Sequence, residues 1–182
     1  MTTKTTLGLF TIGALVLGAI IYAVTWSKSG DNGQMQTKID PLNATYTIEQ
    51  RQVKLSAGKA EQEIVPGSAS KMITLVFGTP TVGDLNNDGR ADAALLLTQN
   101  GGGSGTFYFA AAALQQVSGD YIGTNSLFLG DRIAPQNVEL RAGKFIVNYA
   151  ERAANEPMAT APSIGKSMFL QVVGTTLQQT TD

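Results

Sequence analysis

The chain has 182 residues, with 13 basic against 14 acidic side chains, 43% apolar residues, 20 glycines, no cysteine and no histidine. This composition suits a globular or membrane-associated protein, and the near-zero charge gives no electrostatic case for nucleic acid as a partner. The two missing residue types exclude disulfides, thiolate nucleophiles, Cys-type zinc sites, His-ligated metals and Ser-His-Asp triads. Hard cations on oxygen ligands, carboxylate chemistry, Ser/Lys arrangements and binding remain.

Residues 1–6 form a short tail that contains Lys4, and the twenty residues from Leu7 to Trp26 carry neither charge nor proline. Twenty helical residues rise about 30 Å, which matches the hydrocarbon core of a bilayer. Tyr22 and Trp26 stand near the far end, where amphipathic rings favour the interface. We therefore expect residues 7–26 to be a transmembrane anchor and the lipid bilayer to be a partner. A cleaved signal peptide is the alternative, but the run is longer than an ordinary h-region, and small residues fit poorly at a cleavage site just after it. With one lysine before the run and Lys28 and Lys38 after it, charge counting decides little about orientation. A six-residue tail stays inside more naturally than the large C-terminal part, so residues 1–6 are expected to be cytoplasmic. The remainder is expected outside the inner membrane, periplasmic or extracellular. Residues 27–43, with Gly30, Gly33, Asp31, Asn32 and Pro41, are expected to be a flexible tether.

The expected domain spans 44–176, followed by a polar tail, 177–182. Its signals are those of strands. Residues 44–50 and 51–58 alternate, which puts Tyr46, Ile48, Val53 and Leu55 on buried faces. Ser56-Ala57-Gly58-Lys59 reads as a hairpin turn. Further strand-like runs cover 71–78, 91–99, 106–116, 120–130, 137–143, 144–151 and 167–174. The runs ALLL and FYFAAAAL are apolar on both faces, so they belong at the centre of a sheet covered on both sides. Four consecutive alanines also suit a helix over 109–117; the Gly-rich turn before them favours a strand. The fold class expected is mainly β, an antiparallel sheet or sandwich, with α+β as the alternative and one N-terminal transmembrane helix.

The chemically specific feature is the stretch from Gly83 to Asp92, GDLNNDGRAD. Asp84, Asn86, Asp88 and Asp92 place side-chain oxygens at loop positions 1, 3, 5 and 9. Gly89 allows a sharp turn at position 6, and Arg90 offers its carbonyl at position 7. Calcium takes six to eight oxygens, and a tightly curled loop delivers them from alternate residues. An EF-hand requires Glu at position 12, where this chain has Leu95, and a strand-like run follows in place of a helix. An Asn/Asp-rich turn that satisfies only its own backbone is the simpler alternative, although three carboxylates within nine residues repel one another without a cation.

This loop resembles those of FG-GAP and integrin propeller blades, in which a DxNxDGxxD loop runs directly into a strand and the ninth-position Asp is itself a ligand. The resemblance implies a calcium site with Asp84, Asn86, Asp88 and Asp92 as side-chain ligands and Arg90 as a carbonyl ligand. It covers a single copy of the motif and implies no multi-blade propeller. More widely, residues 83–114 together with 128–152 resemble a group of small bacterial envelope-anchored proteins, which implies an envelope location and no particular reaction.

Other features are weaker. Gly101–Gly105 lacks the Gly-Lys-Ser/Thr of a phosphate cradle and reads as a flexible hairpin or rim loop. Ser68/Lys71 and Ser163/Lys166 match the SxxK spacing of acyl-enzymes without its partner motifs. Glu139, Glu151, Glu156, Asp120 and Asp131 are available for an acid–base pair, which would make a small hydrolase acting on envelope polymers. Asp131-Arg132 reads as a structural ion pair, with Arg132 as an anion-binding residue beside the Gly loop as the sharper alternative. The expectation is thus a membrane-anchored binding or structural protein, more a binder than an enzyme. Its expected partner is an envelope protein or polymer, and its one cofactor is Ca²⁺. A subunit packed through its N-terminal helix into a membrane complex or filament is a third possibility.

Overall fold

The computed structural model describes residues 40–181. The tail 1–6, the anchor bounded by Leu7 and Trp26, and tether residues 27–39 lie outside the described residues. Among the described residues no helix is long and apolar enough to cross a membrane, and the secondary structure consists of twelve strands.

The strands form three antiparallel sheets. A hairpin of β1 (Thr45–Ile48) and β2 (Arg51–Lys54) closes at Glu49 and Gln50, both at positive φ, as a tight two-residue turn requires. The central sheet runs in the order β3 (Lys59–Glu63), β4 (Lys71–Gly83), β5 (Asp92–Asn100), β6 (Phe107–Gln115), β7 (Tyr121–Gly123). β8 (Leu127–Asp131) joins this sheet on β6. The third sheet is a meander of β9 (Ala134–Arg141), β10 (Lys144–Glu151), β11 (Ile164–Val173) and β12 (Thr176–Thr180).

The doubly apolar runs occupy the centre. β5 and β6 pair with Leu95 opposite Ala111 and Leu96 opposite Ala110, so bulk on one strand meets a methyl on the other. Successive side chains point to opposite faces, and each face has its own core. On one side Ala93, Leu95, Leu97, Phe109, Ala111 and Ala113 pack under Ala44, Tyr46, Ile48, Val53 and Leu55 of the hairpin. On the other, Ala94, Leu96, Ala110, Ala112 and Leu114 pack against Phe145, Val147, Tyr149, Leu170 and Leu177 of the third sheet. The result is three layers, hairpin, central sheet and meander. Residues 109–115 are strand, not helix, and Ala110 to Ala113 are fully buried because methyl side chains let both covering layers approach closely.

Two local outcomes differ from the expected pattern. Ser56 and Lys59 do exchange backbone hydrogen bonds around Ala57 and Gly58, but the turn switches sheets: β3 pairs with β4 and not with β2. The stretch expected as a polar tail forms most of β12. Leu177 is buried there, and Asn125 holds it by accepting from the Leu177 N–H at 2.7 Å and donating to its carbonyl at 2.9 Å.

Candidate metal centre

The loop 84–92 leaves β4 and enters β5, so both of its ends are fixed in the central sheet. Asn87 and Gly89 are at positive φ, which curls the backbone around the Asp84 carboxylate. That carboxylate accepts from the N–H of Asp88 at 3.1 Å and of Gly89 at 2.9 Å. These donors, with Gly89 foremost, hold its pKa below the usual carboxylate range. Asn86 Oδ1 accepts from the Asp88 N–H, and Asp88 Oδ1 accepts from the Arg90 N–H. The curl therefore gathers the side chains at positions 1, 3 and 5 into one local network.

Asp92 stands apart from these three. It is fully buried, and its two oxygens accept from the N–H of Leu85 at 3.1 Å and of Gln115 at 2.9 Å. It thereby ties the start of the loop to the end of β6. Burial raises its pKa above the usual value, against the pull of those two donors.

Arg90 does more than present a carbonyl. Its Nε donates to the Gln115 carbonyl at 2.7 Å, and its Nη2 forms a close ion pair with Asp88 Oδ2. The Arg90 carbonyl accepts from the Asp92 N–H. A guanidinium thus supplies the positive charge that Asp88 would otherwise lack. Among the described residues no three acidic side chains converge at metal-binding range. The donor set itself suits a hard cation: four oxygen-bearing side chains and one carbonyl, all within a single nine-residue loop.

The other candidates resolve into partnered groups. Arg132 sits at φ 48°, in the left-handed region that few non-glycine residues adopt. Its guanidinium grips the adjacent Asp131 at 2.7 Å, and Asp131 also accepts from the Thr106 N–H at the end of the Gly loop. That pairing holds the Asp131 pKa down. Arg152 donates to the Arg132 carbonyl at 2.8 Å and so braces the same corner. Lys166 is paired with Glu151 at 2.6 Å, which pushes its pKa up, the reverse of what activating Ser163 would need. Lys71 lies 3.5 Å from Glu61, and the Ser68 hydroxyl accepts from the Ser70 N–H. Asp131, Glu151 and Glu156 do line one cleft of about 370 Å³. Each is already engaged, Glu156 by the Ala153 N–H.

The sequence reading missed Thr124 and Asn125. Thr124 is buried and accepts from the Ala112 N–H, while Asn125 clamps β12. Both lie inside 120–130, expected as one strand; the chain instead breaks there into β7 and β8, and the polar Thr-Asn-Ser interruption was the one signal of it. The chain matches no protein-family model, and no curated protein or solved structure is significantly similar to it.

Proposed function

We propose that this protein is a membrane-anchored envelope protein of binding or structural role, with an extracytoplasmic β domain stabilised by one Ca²⁺ in the loop 84–92. The anchor rests on the uncharged run from Leu7 to Trp26. The observation that carries the metal is the curled loop, which gathers oxygen donors and then passes through buried Asp92 into the doubly covered strand β5. Asp84, Asn86, Asp88, Asp92 and the Arg90 carbonyl would hold the ion, which would supply charge neutralisation and a rigid cross-link. The Arg90 guanidinium must leave Asp88 for that residue to bind.

Calcium that binds only the folded state raises stability by mass action, about 2.7 kcal/mol at a hundred times Kd. Thermal unfolding with calcium and then with a chelator tests this. We expect a higher Tm with calcium, lost in Asp88→Ala. Identical melts in both media, with no change in Asp88→Ala, would remove the metal from the proposal. Membrane fractionation of the full chain tests the anchor separately.

A further inference from the structure

Towards β3 and β4, part of the central-sheet face that the meander covers at Leu96 is left open. Ile73, Leu75 and Phe77 alternate along β4 on one face and are 36%, 43% and 41% exposed. The register continues this face across the sheet, with Leu75 opposite Thr98 and Thr98 opposite Tyr108, and the Phe77 and Tyr108 rings meet edge to face at 5.4 Å. On β3, Lys59 stands opposite Leu75 and Glu61 opposite Ile73. Glu61 pairs with Lys59 at 2.7 Å and with Lys71 at 3.5 Å, and Glu63 stands opposite Lys71, so two lysines and two glutamates leave the rim without net charge.

The chain enters the domain beside this patch. Leu42, close to the first described residue, lines a cleft of about 570 Å³ together with Lys59, Leu75, Val76 and Pro80. Residues 27–39 separate that entry point from Trp26. Even fully extended they reach only about 45 Å.

We infer that the β4 face of Ile73, Leu75 and Phe77, rimmed by Lys59, Glu61, Glu63 and Lys71, docks on the surface of the bilayer that holds the anchor. The inference rests on the proposed anchor. A short tether makes docking an intramolecular event, so a modest apolar patch competes at high effective concentration. Aliphatic and aromatic side chains suit the headgroup–acyl boundary, and long lysine stems let the ammonium groups reach water or phosphate. A self-compensated rim predicts docking with little dependence on lipid charge.

The chain has no cysteine, so one introduced thiol labels one position. The full chain with a fluorophore at Ile73→Cys, or at Gln178→Cys on β12, is reconstituted in phosphatidylcholine vesicles containing a nitroxide-labelled phospholipid. β12 contacts β8, at the opposite edge of the sheet from β3 and β4, so position 178 is the distant control. We expect quenching several-fold stronger at position 73 than at 178. Adding Leu75→Asp and Phe77→Asp should bring position 73 down to the control, with the circular dichroism spectrum unchanged. Equal quenching at both positions in vesicle-bound protein overturns the docking alone, as does label-to-label contact between copies at position 73, which would make the face a self-association surface. A chain that does not partition into vesicles overturns the anchor and the docking together.

Discussion

Asp92→Ala is the sharpest perturbation of the loop, because it separates what Asp92 does for the fold from what it would do for a cation. The fully buried carboxylate accepts from the N–H of Leu85 and of Gln115. Its removal leaves two buried donors unpaired, at about 1–3 kcal/mol each. Part of that loss is returned, since burial already disfavours the charged carboxylate, as its raised pKa records. A net loss of roughly 2–4 kcal/mol follows, about 8–16 °C in Tm at about 4 °C per kcal/mol. The measurement is thermal unfolding in the presence of a chelator, so that no metal contributes. Asp92→Asn supplies the control for charge: it keeps the shape, retains one acceptor and sets an NH₂ group against a backbone N–H. If hydrogen bonding governs the site, Asp92→Asn also destabilises the chelated protein. If repulsion from Asp84 and Asp88 governs it, removing the charge stabilises. A higher Tm for Asp92→Asn in chelator would refute the reasoning.

A Cβ added at Gly123 would fall on the Thr45 carbonyl oxygen and within 2.6 Å of Tyr46 Cδ1, where β7 meets β1. Gly123→Ala should therefore cost about 1–3 kcal/mol or more by overpacking, whereas Gly103→Ala, with nothing within 4 Å of its Cβ, should leave the urea midpoint unchanged. The Asp131 pKa is depressed, chiefly by its hydrogen bonds from Arg132, so its contribution is present above the ordinary carboxylate pKa of about 3.9 and is lost as pH falls through the depressed value. Urea midpoints measured against pH should show Asp131→Asn less stable than the parent near neutrality, the gap closing in acid; a gap that stays constant down the acid limb would exclude the ion pair as its source.

What the sequence makes legible here is what neighbouring residues along the chain decide. ALLL and FYFAAAAL have apolar side chains on both faces, and β5 and β6 indeed lie between two layers, because a strand pattern states directly how many of its faces are dry. Partner choice is a different quantity. Ser56-Ala57-Gly58-Lys59 encodes a tight turn, and the turn forms, but nothing in four residues distinguishes a hairpin from a passage to another sheet. Leu177 is a single apolar residue among polar ones, and its ordering depends on Asn125, 52 positions earlier.

The same division runs through the loop. The spacing of Asp84, Asn86 and Asp88 implied a curl, and the curl is present. Asp92 counted in sequence only as a ninth-position oxygen, and Arg90 only as a carbonyl. Their side chains instead reach Gln115, from 23 and 25 residues away, and so join the loop to the far end of β6. A motif fixes the donors that a loop can offer, whereas closure across the sheet decides which of them are already engaged. Any cation here must therefore compete with Arg90 for Asp88 while sharing Asp92 with two backbone donors. If a cation binds the loop, its occupancy would be coupled to the β5–β6 pairing through Asp92 and Arg90, and a change at either one would register at the other.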